Sequence, residues 1–457
     1  MANFTTDGKL CIERELEVIK KEQGDNVVIR YDIPETCKWI ADNNYETVCL
    51  QFPDELLGVS ALIYEEIKKR VDVDLYILGD TSYASCCVDS VAANHVRGNA
   101  IVHYGHTCFS KTNISVFTVL NKKDLDIQGI MELIQHEFAS DKNAPLCLFY
   151  EEEFEHVKDD ISKQWFQRYP QSYIAAIDLE EKPMRFLGRV VKNAKKEFPV
   201  DILKECICIH VGSRGQTLFN YTISIAAKEW YSLEPGTTKM GHLVETSWFK
   251  RRRFLVEKCK DANVVGILVC KLAGDQTKDI ISRMKKLCKI NGKKSYIVSV
   301  GKPNVAKLAN FPEIDIYVMI ACPENDLYSN RDFYKPIVYP YELEVALNSN
   351  REPYFTTHVT DYDELLPGRR NYCDIDGIKE ETDVSLITGK IRETKVGSSV
   401  SDTMDIEAKQ HWALENIGQN IKDRSWKGLE QKLGETDVTK VEEGRKGIPL
   451  QYSNEPE

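Results

Sequence analysis

The sequence alternates short apolar runs with helix-like segments, and this alternation constrains the fold more than any other feature. From about Tyr45, runs such as TVCLQF and DLYILGD are each followed by a helix-like segment. This is the pattern of strand–helix–strand units, which form a mostly parallel sheet. The pattern restarts at APLCLFY and again after the basic helix WFKRRRFLVEKCK. We therefore predict an α/β protein of three similar units, each with a small four-stranded parallel sheet and about 100 residues.

The same pattern predicts where the units begin and end. We expect α/β domains at residues 31–142, 143–245 and 246–350, after an N-terminal segment at 1–30. The middle domain should contain a long helix over TLFNYTISIAAKEWYSL. Residues 351–457 are largely polar, with only patches such as HWALENI and SWKGLEQKL able to dock, so we predict an extended, partly ordered C-terminal tail.

Composition sets the broad class of protein. The chain has 457 residues, of which 42% are hydrophobic and 29% charged, and its longest apolar run, VVGILVC, is too short to span a bilayer. The N-terminus does not resemble a secretory signal. We therefore expect a cytoplasmic protein without a membrane partner, in which the 14 cysteines do not form a disulfide framework. The net charge of −11 argues against direct, sequence-independent binding of nucleic acid.

Four cysteines follow predicted strands directly or closely. Cys86 and Cys87 follow DLYILGD, Cys108 follows AIVHYG, and Cys322 follows IDIYVMIA. In open parallel sheets the loops at the carboxyl ends of strands converge on ligands. These thiols could therefore build a metal site, since iron–sulfur clusters take thiolates without a local motif. The chain has no Cys-x-x-Cys pair, so the usual zinc site has little support. The alternative is that these cysteines only fill the core.

Other motifs give weaker indications. His103 and His106 lie beside Cys108 and are more typical of imidazoles that pack in the core or support a metal ligand than of iron ligands themselves. VGSRGQT could receive a carboxylate or phosphate at a helix N-terminus, although an ordinary turn is the commoner explanation. KRRR at 250–253 could steer an acidic partner, but a solvated helix face is commoner. No Ser-His-Asp or paired-carboxylate pattern stands out, so no catalytic residue is assigned and cofactor-binding residues stay unknown.

Several segments resemble the diphthamide biosynthesis family. These are QFPDELL, GDTSYASCCVD, HYGHTC, VGSRGQTL, IACPENDL and SWKGLE, which together span nearly the whole chain. The resemblance implies three Rossmann-like domains in a triangle, with a 4Fe-4S cluster held by cysteines of different domains. It also implies an activity in which the cluster reduces S-adenosylmethionine and a 3-amino-3-carboxypropyl radical attacks a histidine of translation elongation factor 2. GDTSYASCCVD, together with a charged tail containing SWKGLE and GRKGI, resembles the second subunit of the family's eukaryotic heterodimer more than the first.

One departure from the family pattern shapes the prediction. Each domain of the family's catalytic chains supplies one cluster cysteine, but Cys147, Cys206 and Cys208 of the middle unit lie inside apolar strands and should pack in the core. The resemblance then implies Cys87, Cys108 and Cys322 as metal ligands. Cys86 is an alternative to Cys87, because adjacent cysteines project in different directions.

The resemblance thus implies an iron–sulfur subunit that is not catalytic alone. Its partners would be a homologous catalytic subunit (the first subunit of the synthase), elongation factor 2 as protein substrate, and an electron-donor protein. The chain would support electron delivery to the partner's cluster, or the integrity of that cluster. Two alternatives stay open: a self-sufficient radical S-adenosylmethionine enzyme, and a cluster-free scaffold. Whether this chain itself binds S-adenosylmethionine is also open.

Overall fold

The computed structural model consists of three successive α/β modules and their C-terminal extension. Contacts divide the chain into one compact part at residues 1–399, which contains the three modules, and another at 400–457. The structure describes residues 25–79, 85–138, 145–179, 184–237, 239–270, 276–300, 303–324, 333–375, 383–389, 391–392, 447–448 and 451–452.

The first module is a four-stranded parallel sheet with strand order β2-β1-β3-β4. Apolar residues of β1 and β3 are fully buried because helices cover both faces of the sheet. Its elements are α1 (Asp25–Arg30), α2 (Ile33–Asp42), β1 (Thr47–Gln51), α3 (Leu57–Lys68), β2 (Asp74–Leu78), α4 (Ser90–His95), β3 (Ala100–Tyr104) and β4 (Ser115–Val119).

The middle module has the same parallel centre but a wider sheet. Its seven strands follow the order β11-β10-β9-β5-β6-β7-β8, in which β7, β8 and β11 are antiparallel additions at the two edges. The predicted four-stranded parallel sheet therefore corresponds to β10-β9-β5-β6, and the three antiparallel strands are not predicted. The strands are β5 (Leu146–Tyr150), β6 (Tyr173–Ile177), β7 (Arg189–Lys192), β8 (Glu197–Phe198), β9 (Ile207–Val211), β10 (Glu229–Leu233) and β11 (Gly241–Leu243).

Three helices pack against this middle sheet, and one of them differs from its predicted length. They are α5 (Ile127–Glu137), α6 (Lys158–Arg168) and α7 (Gln216–Ser224). The predicted long helix over TLFNYTISIAAKEWYSL is wrong, because α7 ends at Ser224 and EWYSL forms β10. Pairing with β9 and burial of Trp230 and Leu233 override the helix-like pattern there. α5 packs with the middle core, although the sequence boundaries place it in the first unit.

The third module repeats the topology of the first. Its parallel sheet has the order β13-β12-β14-β15, and its core lies between this sheet and the helices on each face. Its elements are α8 (Thr246–Asp261), β12 (Val264–Val269), α9 (Gln276–Ile290), β13 (Lys294–Ser299), α10 (Val305–Ala309), β14 (Ile316–Ile320), β15 (Ile337–Val338) and α11 (Pro340–Leu347).

Part of the predicted tail belongs to the third module's core. Phe355, Tyr362 and Leu365 are buried against α8, α9 and α11, because residues 351–375 fold back over these helices. Further on, β16 (Asp383–Val384) pairs with β17 (Ile391–Arg392), and Arg392 forms ion pairs with α8. Two more short strands, β18 (Gly447–Ile448) and β19 (Gln451–Tyr452), pair with each other. The patches HWALENI and SWKGLEQKL lie outside the described residues.

The basic run KRRR on α8 is not a uniformly solvated face. Lys250 is exposed, but only 3% of Arg252 is exposed, and its guanidinium pairs with the buried carboxylate of Glu342 on α11. No helix in the described part of the chain is long and apolar enough to cross a bilayer.

Candidate metal centre

Four cysteine side chains meet in one buried group, which we call the four-thiol group. Cys86, Cys87 and Cys108 come from the first module and Cys322 from the third, and all four Sγ atoms lie within 4.8 Å of one another. The Sγ atoms of Cys86 and Cys322 are 3.9 Å apart, and those of Cys87 and Cys108 are 3.7 Å apart. No member is more than 7% exposed.

A glutamine at the end of β1 fixes the turn that carries the two adjacent cysteines. The Nε2 of Gln51 donates to the carbonyl oxygen of Cys87 at 2.7 Å, and its Oε1 accepts from the backbone N–H of Asp89 at 2.9 Å. Asp89 then caps α4 by accepting from the N–H of Ala92 at 2.8 Å. Because Gln51 is itself 1% exposed, this bidentate contact holds the turn against the sheet.

The loop after β3 brings Cys108 back toward this turn. Gly105 has a φ of +92°, a conformation that favours glycine, and a Cβ there would lie 3.1 Å from Pro53 Cγ. The backbone N–H of Cys108 donates to the carbonyl oxygen of Cys86 at 3.1 Å. The two thiol-bearing loops of the first module are therefore bonded directly to each other.

The two histidines of this loop have different surroundings. His103 is fully buried, and its Nε2 lies 3.0 Å from the carbonyl oxygen of His106. His106 Nδ1 lies 3.1 Å from Glu152 Oε2, and its Nε2 lies 3.7 Å from Glu324 Oε2. Burial alone would lower the pKa of His106, but the hydrogen bond to Glu152 and the nearby carboxylate of Glu324 outweigh burial and raise the pKa. Both imidazoles thus lie in the loop that carries Cys108, where the Nε2 of His103 and both ring nitrogens of His106 face protein oxygens.

The four-thiol group has the chemistry of a site for a soft metal. Crowding by neighbouring thiols, together with burial, raises the pKa of Cys86 and of Cys322, so both hold their protons when no metal is bound. A metal must displace these protons, because the thiolate is the ligand. Thiolates favour iron–sulfur clusters and zinc. Around one tetrahedral zinc, with Zn–S bonds of about 2.3 Å, thiolates would lie about 3.8 Å apart. Two of the Sγ–Sγ distances, 3.7 and 3.9 Å, are near that value, and all of them are within 4.8 Å.

The structure brings together all the cysteines that the sequence proposes as ligands. Cys87, Cys108 and Cys322 are in the group, and so is Cys86, which the sequence treats as an alternative to Cys87. The cysteines of the middle module behave as predicted: Cys147, Cys206 and Cys208 are fully buried and pack with Phe149 and Trp230.

Sequence reasoning missed the acidic residues that follow β5. Glu152 reaches the loop of His106, and Glu153 forms an ion pair with Lys123 at 2.7 Å. The available signal was the run EEE directly after the buried strand LCLFY, since strand ends of a parallel sheet gather functional groups. Gln51, at the end of β1, carried the same signal.

Glu151 occupies the loop that the sequence considers for a small anion. Ser213, within VGSRGQT, donates from its backbone N–H to Glu151 Oε2 at 2.9 Å and from its hydroxyl to Oε1 at 2.6 Å. A carboxylate from the same chain thus satisfies these donors.

Comparison with known proteins gives a consistent set of matches. A family model described as "Putative diphthamide synthesis protein" matches residues 52–355. Proteins named "2-(3-amino-3-carboxypropyl)histidine synthase subunit 2" are similar over most of their length. The Gallus gallus protein is 34% identical over 99% of this chain and 98% of its own. The Danio rerio protein is 34% identical over 94% and 92%, and the Homo sapiens protein is 30% identical over 93% and 93%.

A solved structure shows the same fold. It is described as "Crystal structure of Dph2 from Pyrococcus horikoshii with 4Fe-4S cluster" and covers 74% of this chain and 95% of its own, with a TM-score of 0.55 and 18% sequence identity.

Proposed function

Because the chain belongs to the diphthamide synthesis family, we propose that it is the second subunit of a 2-(3-amino-3-carboxypropyl)histidine synthase. The assembly would transfer the 3-amino-3-carboxypropyl group of S-adenosylmethionine to a histidine of translation elongation factor 2 in the cytoplasm. Near full-length similarity to curated proteins of that name supports this assignment.

The four-thiol group is the observation that carries the proposal. Four buried thiols that meet in one place offer the type of ligand that a 4Fe-4S cluster takes, and the Pyrococcus horikoshii Dph2 crystal structure is described as containing such a cluster. Cys86, Cys87, Cys108 and Cys322 would hold it, and when bound it would supply one-electron redox chemistry. Gln51 would keep Cys87 in place, and the bond between Cys108 and Cys86 would keep the two loops of the first module together.

The number of thiols favours a supporting role over catalysis by this chain. A cluster with a thiolate on every iron has no open iron position for S-adenosylmethionine, whereas three thiolates would leave one. The chain would therefore relay electrons to the cluster of a homologous catalytic subunit, or preserve that cluster, and would receive electrons from a donor protein.

Metal analysis tests this proposal. Protein purified without oxygen should carry iron and acid-labile sulfide in near-equal amounts. The triple variant Cys87→Ser, Cys108→Ser, Cys322→Ser should lose both, because hydroxyls are poor iron ligands. Variants Cys147→Ser and Cys288→Ser serve as controls, since these fully buried thiols lie outside the group. Iron content like that of the wild type in the triple variant would rule out the site.

A structural zinc site is the second candidate, and the thiol spacing favours it. The distances of 3.7 and 3.9 Å agree with a single tetrahedral ion. One zinc per chain, without sulfide, would support this candidate and leave the protein as a redox-inert scaffold of its partner.

A further inference from the structure

The middle module supplies none of the four thiols, yet it bonds to both sides of the group. On the first-module side, Glu152 lies two residues after the end of β5 and is 5% exposed. Its Oε2 accepts from the backbone N–H of Thr107 at 3.3 Å and lies 3.1 Å from His106 Nδ1. Thr107 precedes Cys108, so this carboxylate holds the loop immediately before a thiol.

On the third-module side, helix α7 holds the loop of Cys322. The Nδ2 of Asn220 donates to the carbonyl oxygen of Pro323 at 2.6 Å, and the hydroxyl of Thr217 donates to Glu324 Oε2 at 3.2 Å. Asn220 is 1% exposed. Its bond reaches the residue immediately after Cys322.

The two attachments meet at Glu324. Its Oε2 lies 3.7 Å from His106 Nε2, so a chain of contacts runs from Glu152 through His106 and Glu324 to Thr217. This chain begins and ends in the middle module and passes through both thiol-bearing loops. It matters because Cys322 is the group's one contribution from the third module, and its distance from the other thiols depends on how the modules are held together.

We propose that Glu152 and Asn220 of the middle module form a clasp that sets the position of Cys322 relative to the thiols of the first module. This role rests on the proposed metal site. The clasp acts on ligand geometry, as residues that orient metal ligands do in other sites. It also gives a function to VGSRGQTL, whose helix would hold a neighbouring loop rather than bind a small anion.

Variants of the two clasp residues test the proposal, with metal retention as the readout. We expect Glu152→Leu and Asn220→Ala to lose iron to a ferrous chelator about tenfold faster than the wild type or more, because removing residues that orient ligands typically costs about 10- to 100-fold in metal affinity. Glu152→Gln keeps an oxygen that can accept a hydrogen bond from the backbone N–H of Thr107. It should therefore lose iron more slowly than Glu152→Leu. The reduced cluster should also show altered electron paramagnetic resonance signals in Glu152→Leu and Asn220→Ala.

Matched controls separate the clasp from ordinary packing between modules. Glu153→Leu removes another contact from the middle to the first module, with Lys123, and Ser224→Ala removes a contact from α7 to Thr360. Both variants should lose iron at a rate within about twofold of the wild type. Most substitutions that remove no special structural feature have only small effects. Thermal unfolding of each apoprotein checks that the variants are folded.

The outcomes distinguish the clasp from the proposed function. If folded clasp variants and controls lose iron at equal rates, the clasp proposal is wrong, but the proposed iron–sulfur site is not affected. A wild type that holds zinc instead of iron would overturn the electron-relay function, and the same comparison would then be made on zinc release to a chromogenic chelator. A wild type without bound metal would overturn both.

Discussion

At the scale of single residues, the two adjacent cysteines have different partners within one group. The Sγ of Cys86 lies 3.9 Å from that of Cys322 in the third module, and the Sγ of Cys87 lies 3.7 Å from that of Cys108 in its own module. Neighbouring side chains point to opposite sides in a strand, but these two lie in a turn after β2, where both can face inward. Cys86 therefore spans the modules, and Cys87 closes the first module's side of the group.

We predict that Cys86→Ser and Cys87→Ser each weaken the site on their own. Each removes one of four thiols, so iron should be lost to a chelator about tenfold faster or more. Iron and sulfide analysis, with the decay of the visible absorbance, measures the effect. Cys49→Ser is a matched control, because Cys49 is fully buried on β1 but lies outside the group. If one variant keeps iron as the wild type does, that cysteine is a packing residue.

The sequence could place these thiols but could not tell how many face the site. Cys87, Cys108 and Cys322 are candidate ligands because each belongs to a loop at the carboxyl end of a strand, where such loops converge, and the family resemblance implies them as the ligand set. The inward direction of Cys86 depends on the backbone of a short turn, which side-chain periodicity does not describe. The roles of Gln51 and Glu152 depend on contacts between distant segments in the same way.

At the scale of secondary-structure elements, helix α11 joins its module through two buried carboxylates. Glu342 pairs with Arg252 of α8 and lies 3.3 Å from His358, while Glu344 pairs with Arg283 of α9 and with Arg351. Both glutamates are fully buried. A buried ion pair adds little net stability over an apolar core, but the loss of one partner is costly because the other charge stays buried.

We predict that Glu342→Gln lowers the free energy of unfolding by about 3–5 kcal/mol at pH 7, because it leaves the Arg252 guanidinium buried without its partner charge. Urea denaturation measures the change. Glu66→Gln is the control, since its partners Lys69 and Arg70 are exposed, and such surface pairs add little to stability. An equal effect of both substitutions would contradict a structural role for the buried pair.

The same glutamate should make stability depend on pH. Burial alone would raise the pKa of Glu342, but Arg252 and His358 outweigh burial and lower it to about 2. A carboxyl group whose pKa is lower in the folded state than in the unfolded state, where it is about 4.3, stabilises the fold at pH values above the unfolded pKa. This stabilisation disappears as the pH falls toward 2. Over that pH range, the free energy of unfolding should therefore fall less in Glu342→Gln than in the wild type.

Element type was predictable wherever local pattern and tertiary packing agree. Most strands of the three parallel centres are recognisable because they are short apolar runs between helix-like segments. The apolar spacing of EWYSL suits a helix as well as a strand, and only pairing with β9 makes it a strand. Arg252 looked solvated within KRRR because the sequence does not reveal Glu342, 90 residues later, as its partner.

At the scale of the whole molecule, one strand order serves modules with different tasks. All three sheets have a parallel centre in which the second strand lies outside the first, and the third and fourth follow on the other side. The first and third modules carry the cysteines of the four-thiol group. The middle module carries additional strands and the polar residues that hold the loops of those cysteines. Strand periodicity predicts the repeated topology, but the packing of one module on another depends on contacts that no local pattern encodes.

This division of tasks leads to a prediction about the assembled synthase. If the chain relays electrons, it should modify no elongation factor alone, even with dithionite, and it should restore activity when mixed with its catalytic partner. The triple variant Cys87→Ser, Cys108→Ser, Cys322→Ser, still bound to that partner, should lower turnover about tenfold or more with the physiological electron donor, a loss typical of disrupted metal sites. Excess dithionite should restore most of the activity, because a small reductant can reach the partner's cluster without the relay.

The matched control is Cys147→Ser, which leaves the four-thiol group intact. Full activity of the triple variant with the physiological donor would reduce the chain to a scaffold. Modification of the histidine by this chain alone would instead make it the catalytic subunit.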